Sequence, residues 1–313
     1  MKIIITGALG HIGSSLVRFL PLEFPNAEIV MIDNMLTQRY PSLFSLPASS
    51  LYKFIEADVT KFDFSTLLNL DDVVIHLAAI TDAAGSFEKA SEVESNNFNS
   101  TSNIVQACIR ANSRLITISS TSVYGTQEGL VSEACLDTDL RPQSPYAETK
   151  LREESLVQKM VIAGDLKAVT LRFGTIFGVS PGMRFHTAVN KFCWQAVMRQ
   201  PLTIWRTAYE QKRPYLDLID ACRAITHVIK KEALDGRIYN VLTLNATVKM
   251  IVKAIEEFVP NLKCQFVDSK IMNQLSYEVS CEKFKSTGFE FKGNLRSEIL
   301  KTLDLIRQSN SAP

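Results

Sequence analysis

Short apolar runs alternate along most of the chain with longer stretches in which apolar residues recur at helical spacing. The runs are KIIIT (2–6), EIVMI (28–32), YKFIE (52–56), DVVIHLA (72–78), RLITIS (114–119), KAVTLR (167–172) and RIYNV (237–241). Several are apolar on both faces, as strands become when helices cover a sheet from either side. The stretches 11–21, 93–111, 146–163 and 220–231 carry the helical period. This alternation predicts an α/β fold built on a doubly wound parallel sheet. From about Gly174 the rhythm changes to Gly- and Pro-containing loops, a helix near 188–199 and short strands, and 245–307 is richer in helices. The organisation expected is a first domain over 1–173, with about 215–243 returning to it, and a smaller, mostly helical lobe drawn mainly from 174–313.

Composition narrows the function without choosing it. The 313 residues are 46% hydrophobic and 21% charged, as in a globular protein, and 34 basic against 33 acidic side chains leave a formal charge of +1. Nothing in that balance steers the chain toward nucleic acid or an anionic membrane, so any anion binding has to be local. Cys108, Cys135, Cys193, Cys222, Cys264 and Cys281 are scattered, with no C-x-x-C pair and no nearby histidines, so free thiols are expected and a metal site is not. No apolar run approaches the roughly 20 residues that span a bilayer, and the start of the chain lacks the pattern of a signal peptide. A cytoplasmic protein without a membrane partner is the expectation.

The first strand runs into ITGALGHIGSSLVRFL, where Gly7, Gly10 and Gly13 occupy the turn before the first helix. Glycine has the most conformational freedom to lose, so three at this spacing indicate close approach of the backbone to a ligand. In a βαβ unit that ligand is a pyrophosphate, held by unpaired amides and the helix dipole. The second strand ends at Asp33, whose carboxylate can accept bonds from both ribose hydroxyls of NAD and would repel the extra phosphate of NADP. NAD is therefore the expected cofactor; Arg39 is the counter-indication, being able to serve a phosphate if its loop folds back. His11 and Ile12 in the turn and Asn34 beside Asp33 are expected to border the same ligand. So are Asp58 and Val59 after the third strand, where Asp58 could accept from the adenine amino group. Leu77, Ala78 and Ala79 after the fourth leave room for a flat dinucleotide. His76, in an apolar strand end without a partner, reads as a core histidine more readily than as a catalyst.

The chemistry is expected from RPQSPYAETKLREE and SSTSVYG. Pro145 suits a helix start, and Tyr146 and Lys150, four residues apart, share a helix face. An ammonium beside a phenol favours phenolate, so Lys150 is expected to lower the phenol from about 10 toward a value usable near neutrality. Ser119 ends the fifth strand, and Ser120 follows where a doubly wound sheet presents its ligand crevice. Its hydroxyl can hold the substrate oxygen that gains or loses the proton.

With these segments, and with HLAA, NFNSTSNIVQA, LRFGTIFG and KRPYLDLIDACRAI, the chain resembles the extended short-chain dehydrogenase/reductases, particularly their nucleotide-sugar epimerase and dehydratase branch. The resemblance runs through most of the chain and implies a Rossmann sheet binding NAD. It implies that Tyr146 is the catalytic acid/base, that Lys150 binds the nicotinamide ribose and tunes Tyr146, and that Ser120, or alternatively Thr121, orients the reacting hydroxyl. By the same resemblance Asn97 supports the cofactor lobe, Ser119 borders the cofactor, and Arg213 grips a nucleotide diphosphate. Two departures bear on the reaction. Dehydratases of this branch carry an Asp-Glu pair where this chain has Thr121-Ser122, which favours epimerisation or simple oxidoreduction over loss of water. Thr175 stands where many epimerases have asparagine, so substrate recognition in that loop differs. Beyond it Arg184, His186, Asn190 and Lys191 are candidates for the substrate entrance, although each also fits a solvated polar face. The leading expectation is an NAD-dependent epimerase of a nucleotide-linked hexose, acting at C4 through a transient ketone. The alternatives are an NAD-dependent dehydrogenase or reductase of a sugar or other small carbonyl compound and, with less support, a non-catalytic NAD-binding regulator. In similar proteins the helices corresponding to 93–111 and 146–163 pair across a dimer axis, which implies a homodimer.

Overall fold

The computed structural model describes residues 1–48, 51–81, 85–268 and 277–309. Seven strands form its central sheet: β1 (Lys2–Thr6), β2 (Glu28–Asp33), β3 (Leu51–Glu56), β4 (Val73–His76), β5 (Arg114–Ser120), β6 (Lys167–Phe173) and β7 (Ile238–Val241). Their spatial order is β7-β6-β5-β4-β1-β2-β3, and every pairing is parallel. The seven apolar runs read from the sequence are these seven strands. The chain builds outward from β1 through β2 to β3, then returns to lay β4 on the other side of β1. The carboxyl ends of β1 and β4 therefore border the crevice where an open α/β sheet takes its ligand.

The period of two along β1 explains why the sheet is covered on both sides. Ile3 and Ile5 enter one core with Leu16, Val17 and Leu20 of α1 (His11–Glu23). Ile4 enters the other with Ile104 and Val105 of α2 (Ala90–Ala111) and Val157 of α3 (Pro145–Ile162). All three isoleucines are fully buried. A third core lies beyond the sheet, where α4 (Ala188–Val197) brings Val189, Phe192 and Cys193 against Phe177 and Tyr215. Meanwhile α5 (Leu218–Lys231) returns to the sheet and packs with α1, its Ala221, Ile225 and Val228 joining the core of Ile3 and Ile5. Helix α6 (Val248–Glu256) adds Ile251 and Ile255 to the third core. The short α7 (Glu282–Lys285) sends Phe284 to the core of Ile3, and α8 (Leu295–Arg307) closes the third core with Ile299 and Leu303. Short strands accompany these helices: Lys212–Asp217 lies between Thr175–Phe177, parallel, and Leu244–Thr247, antiparallel. Residues 269–276 and 310–313 of the 174–313 stretch lie outside the described residues. Among the described residues no helix is long and apolar enough to cross a membrane.

Two local devices place α3. Ser144 caps it by accepting a hydrogen bond from the Ala147 amide at 3.2 Å, and Pro145 takes the first helical position, where no amide donor is needed. Farther along, the Glu154 carboxylate accepts from Arg172 of β6 through Nε at 2.9 Å and Nη2 at 2.7 Å, a fork-to-fork pair with both side chains 5% exposed. Arg172 also donates to the Tyr124 hydroxyl at 2.9 Å, which in turn donates to Asn240 Oδ1 at 2.9 Å. Burial works against the guanidinium charge, but Glu154 and Tyr124 more than offset it and hold Arg172 above the usual arginine value. Arg172→Met leaves the Glu154 carboxylate buried without its counter-ion, so unfolding in urea should show a loss of about 3–5 kcal/mol; a loss below 1 kcal/mol would mean that the pair does not anchor the helix.

Candidate active site

The turn after β1 is shaped by the absence of side chains. Gly7 has φ +65°, and a Cβ there would lie 2.7 Å from the Ala78 amide nitrogen; one on Gly13 would lie 2.5 Å from the Gly7 carbonyl oxygen. Gly10 is the N-cap of α1 and offers no side chain to the first amides, and the first turn holds no acidic residue. The amino end of α1 therefore keeps its donors and dipole available to an anion. The Asp33 carboxylate is fixed at the end of β2 by the Leu9 amide on Oδ2 at 3.1 Å and the Met35 amide on Oδ1 at 3.0 Å. Around these groups opens a cleft of about 360 Å³, walled by Gly7, Gly10, His11, Ile12, Gly13, Asp33, Asn34, Asp58, Val59, Leu77, Ala78 and Ala79. An uncapped helix start, a backbone cradle that any Cβ would fill and an acid at the far strand end fit a dinucleotide pyrophosphate and ribose. Asp58 spends one oxygen locally, accepting from the Thr60 amide at 2.9 Å and the Thr60 hydroxyl at 2.7 Å.

A second cleft of about 360 Å³ adjoins the first and shares His11, Ile12, Leu77, Ala79, Thr81, Arg184 and His186 with it. Ser119, Ser120, Thr121, Tyr146, Lys150, Thr175, Arg184, Lys191 and Arg213 line it. The Ser120 hydroxyl accepts from the Ser122 amide at 3.1 Å and the Ser122 hydroxyl at 2.9 Å, and its effect on Tyr146 is to lower the phenol. Thr121 donates to the Phe173 carbonyl at 3.3 Å, which leaves Ser120 as the hydroxyl facing the phenol. The Lys150 ammonium sits 5.9 Å from the centre of the Tyr146 ring. It also makes a 2.8 Å contact with the Glu153 carboxylate, these two side chains being 5% and 7% exposed.

The electrostatics correct one expectation. Lys150 does pull the phenol down, as do Arg184 and Ser120, yet Tyr146 stands above the ordinary tyrosine value because burial outweighs them and Glu153 adds to burial. The sequence places Lys150 beside Tyr146 but does not reveal that Glu153, one turn on, occupies the same ammonium. Lys150 itself is held above the usual lysine value: burial lowers it, and Glu153, Tyr146 and Glu154 together more than offset that.

Two candidates are not walls of either cleft. Asn97 is buried, and its side chain brackets one peptide, accepting from the Ile80 amide at 2.8 Å and donating to the Ile80 carbonyl at 3.0 Å, so it steadies the exit from β4 behind the cleft residue Ile80. Asn190 is fully buried and donates to the Arg184 carbonyl at 3.0 Å, so it orders the loop that carries Arg184 and is not itself placed to touch substrate. Sequence reading missed the apolar walls Phe173, Ile176, Trp205 and Tyr277, which come from separate elements. It also missed Gly182, whose Cβ would lie 2.2 Å from the Leu9 carbonyl oxygen; the Ser180-Pro181-Gly182 turn was the available signal.

Residues 3–241 match the family described as NAD dependent epimerase/dehydratase. An uncharacterized UDP-glucose epimerase of Bacillus subtilis is 32% identical over 270 residues, which is 82% of this chain and 82% of the relative. A trifunctional UDP-glucose 4,6-dehydratase, 3,5-epimerase and reductase of Arabidopsis thaliana is 28% identical over 98% of this chain, which spans 47% of that longer protein. Among solved structures, the UDP-glucuronic acid 4-epimerase of Bacillus cereus, in complex with UDP-glucuronic acid and NAD, superposes with a TM-score of 0.89 at 28% identity, covering 99% of this chain and 100% of the other.

Two of the three histidines that line the clefts, His76 and His11, are held neutral. His76 Nδ1 lies 2.8 Å from the Thr6 hydroxyl and Nε2 3.2 Å from the Thr101 hydroxyl, so it is a satisfied core histidine as read from the sequence. Burial, with Lys150 adding to it, lowers His76 from 6.5 to about 3. Burial likewise lowers His11 to about 4, against a bond to the Gly178 carbonyl. Because the folded values lie below 6.5, the unfolded chain binds more protons in that window and these groups remove stability as pH falls below 6.5. Asp217, raised to about 6 by burial, works in the opposite sense between 3.8 and 6. Urea unfolding across this range should show a shallower acid-side loss for His76→Gln than for the unmodified chain; an unchanged slope would remove His76 from the account.

Proposed function

Since the chain belongs to the NAD dependent epimerase/dehydratase family, we propose that it is an NAD-dependent epimerase of a nucleotide-linked hexose, acting at C4 of the sugar. The observation that supports this reading is the meeting of Ser120, Tyr146 and Lys150 in the wall of the second cleft, which adjoins the first. One cleft fits a dinucleotide, held by the turn of Gly7, Gly10 and Gly13 with Asp33 at the ribose end. The other would take the sugar nucleotide, with Arg213, Arg184 and Thr175 among the residues that line it.

Bound NAD supplies the hydride acceptor, and later the hydride donor, next to the phenol. Tyr146 takes the proton of the C4 hydroxyl while Ser120 holds that oxygen in line. Lys150 stabilises the phenolate and binds the nicotinamide ribose. In the second half of the cycle Tyr146 returns the proton to the oxygen of the 4-keto sugar after its other face has been turned to the cofactor. Thr121 and Ser122 offer hydroxyls and no carboxylate at the positions where a dehydratase needs an acid and a base, which supports epimerisation over elimination. The reading includes a homodimer formed through the outer faces of α2 and α3, to be checked by sedimentation.

Purified protein incubated with UDP-, GDP-, CDP- and dTDP-hexoses should interconvert at least one C4 pair with no net production of NADH; stoichiometric NADH would select the dehydrogenase instead, and no conversion of any pair would end the proposal. Tyr146→Phe should lower kcat by about 10²–10⁴-fold with sugar-nucleotide binding retained, measured by turnover and calorimetry. Gly13→Ala, whose methyl would drive into the Gly7 carbonyl, should weaken NAD binding by about tenfold or more in equilibrium titration.

A further inference from the structure

Lys150 ends a continuous line of buried hydrogen bonds that begins in the wall of the dinucleotide cleft. The Ala78 amide donates to the Thr6 hydroxyl at 3.3 Å, and that hydroxyl meets His76 Nδ1 at 2.8 Å. His76 Nε2 meets the Thr101 hydroxyl at 3.2 Å, Thr101 donates to Glu153 Oε2 at 3.0 Å, and the same oxygen receives Lys150 Nζ at 2.8 Å. The donor count fixes the directions. Thr101 has given its proton to Glu153, so it accepts from Nε2–H, and Nδ1 accepts from Thr6. Every bond of the line then has one donor and one acceptor, with His76 neutral and Glu153 charged. The other oxygen, Glu153 Oε1, is buried with no hydrogen-bond partner. A half-satisfied carboxylate in a core costs stability, and an apolar side chain facing α2 would avoid that cost. What Glu153 does for the site is to hold the ammonium next to the phenol.

We propose that Glu153 is a positioning residue for the reaction: it anchors the Lys150 ammonium against α2 and β4 and supplies the counter-charge that sets how readily Tyr146 gives up its proton. The inference rests on Tyr146 being the acid/base. Lys150 and Glu153 of α3 and Arg184 of the loop before α4 act on the phenol, Glu154 of α3 and His76 of β4 face Lys150, Arg172 of β6 stands behind Glu154, and His11, His186, Lys191, Arg213, Tyr215 and Tyr277 line the same cleft. Of these, Glu153 is the negative group that raises the phenol.

The test is Glu153→Gln, which keeps the shape and removes the charge. The acid limb of kcat/KM against pH should move down by about one unit. The ultraviolet titration assigned to Tyr146, taken as the difference between each protein and its Tyr146→Phe counterpart, should move down with it. That optical measurement needs no substrate, so it reads the inference even if no sugar nucleotide turns over, whereas an active Tyr146→Phe protein would instead refute the proposed reaction. Glu153→Leu removes the same charge with an apolar side chain and should shift both curves the same way, which keeps the test available if Glu153→Gln fails to fold. Curves that stay in place or move up in the folded variants overturn the proposal, since a merely structural role would lower stability and leave both curves where they are.

Discussion

The fold is organised around a place where no side chain fits. The glycine turn after β1 touches the backbone at the end of β4, folds against itself between Gly7 and Gly13, and is covered by Gly182 from the loop before α4. These contacts are backbone to backbone, so neither a rotamer change nor a smaller neighbour can relieve a methyl group placed there. The first βαβ unit, the switch point of the sheet and the loop that leads into the third core are thereby fixed to one another at the wall of the dinucleotide cleft. Ser14 secures the same junction, donating to Ser180 Oγ at 3.1 Å and accepting from the Gly182 amide at 2.9 Å.

Against that rigid wall the second half of the site is set by α3, and there polar groups do what close packing does at the turn. Glu153 and Glu154 are adjacent in sequence and both buried, yet they face different partners: one meets Lys150, Thr101 and through it β4, the other meets Arg172 of β6. Consecutive helical positions point about 100° apart, so two acids in a row can reach two strands of one sheet. The orientation of Tyr146 and Lys150 is fixed by ion pairs that are costly to desolvate and costly to break. Such pairs specify geometry better than they supply stability.

What could be read beforehand follows from which contacts are local. The seven strands were legible because runs such as KIIIT and VVIH are apolar on both faces, and the sheet does cover both. The places of Gly7, Gly10 and Gly13 in the turn and of Tyr146 and Lys150 on one helix were legible because turn chemistry and helical spacing are local, and those of Asp33 and Ser120 because each lies at a strand end. Asn97, read as a support of the cofactor lobe, brackets the Ile80 peptide, whereas Asn190, read at the substrate entrance, serves the protein's own backbone, because an amide side chain reads alike whether it meets a ligand or a peptide. The raised phenol and the partnership of Glu153 with Thr101, 52 residues apart, depend on burial and on α2 packing against α3, neither of which a linear pattern encodes. The apolar wall of Phe173, Trp205 and Tyr277 is dispersed for the same reason.

Arg184 belongs to both clefts at once, hydrogen-bonds Thr81 beyond β4, and has its own carbonyl held by Asn190. A side chain shared in this way ties the two clefts together: a substitution at this position alters both walls at once, and any compensating change falls on Thr81 or on the loop around Asn190.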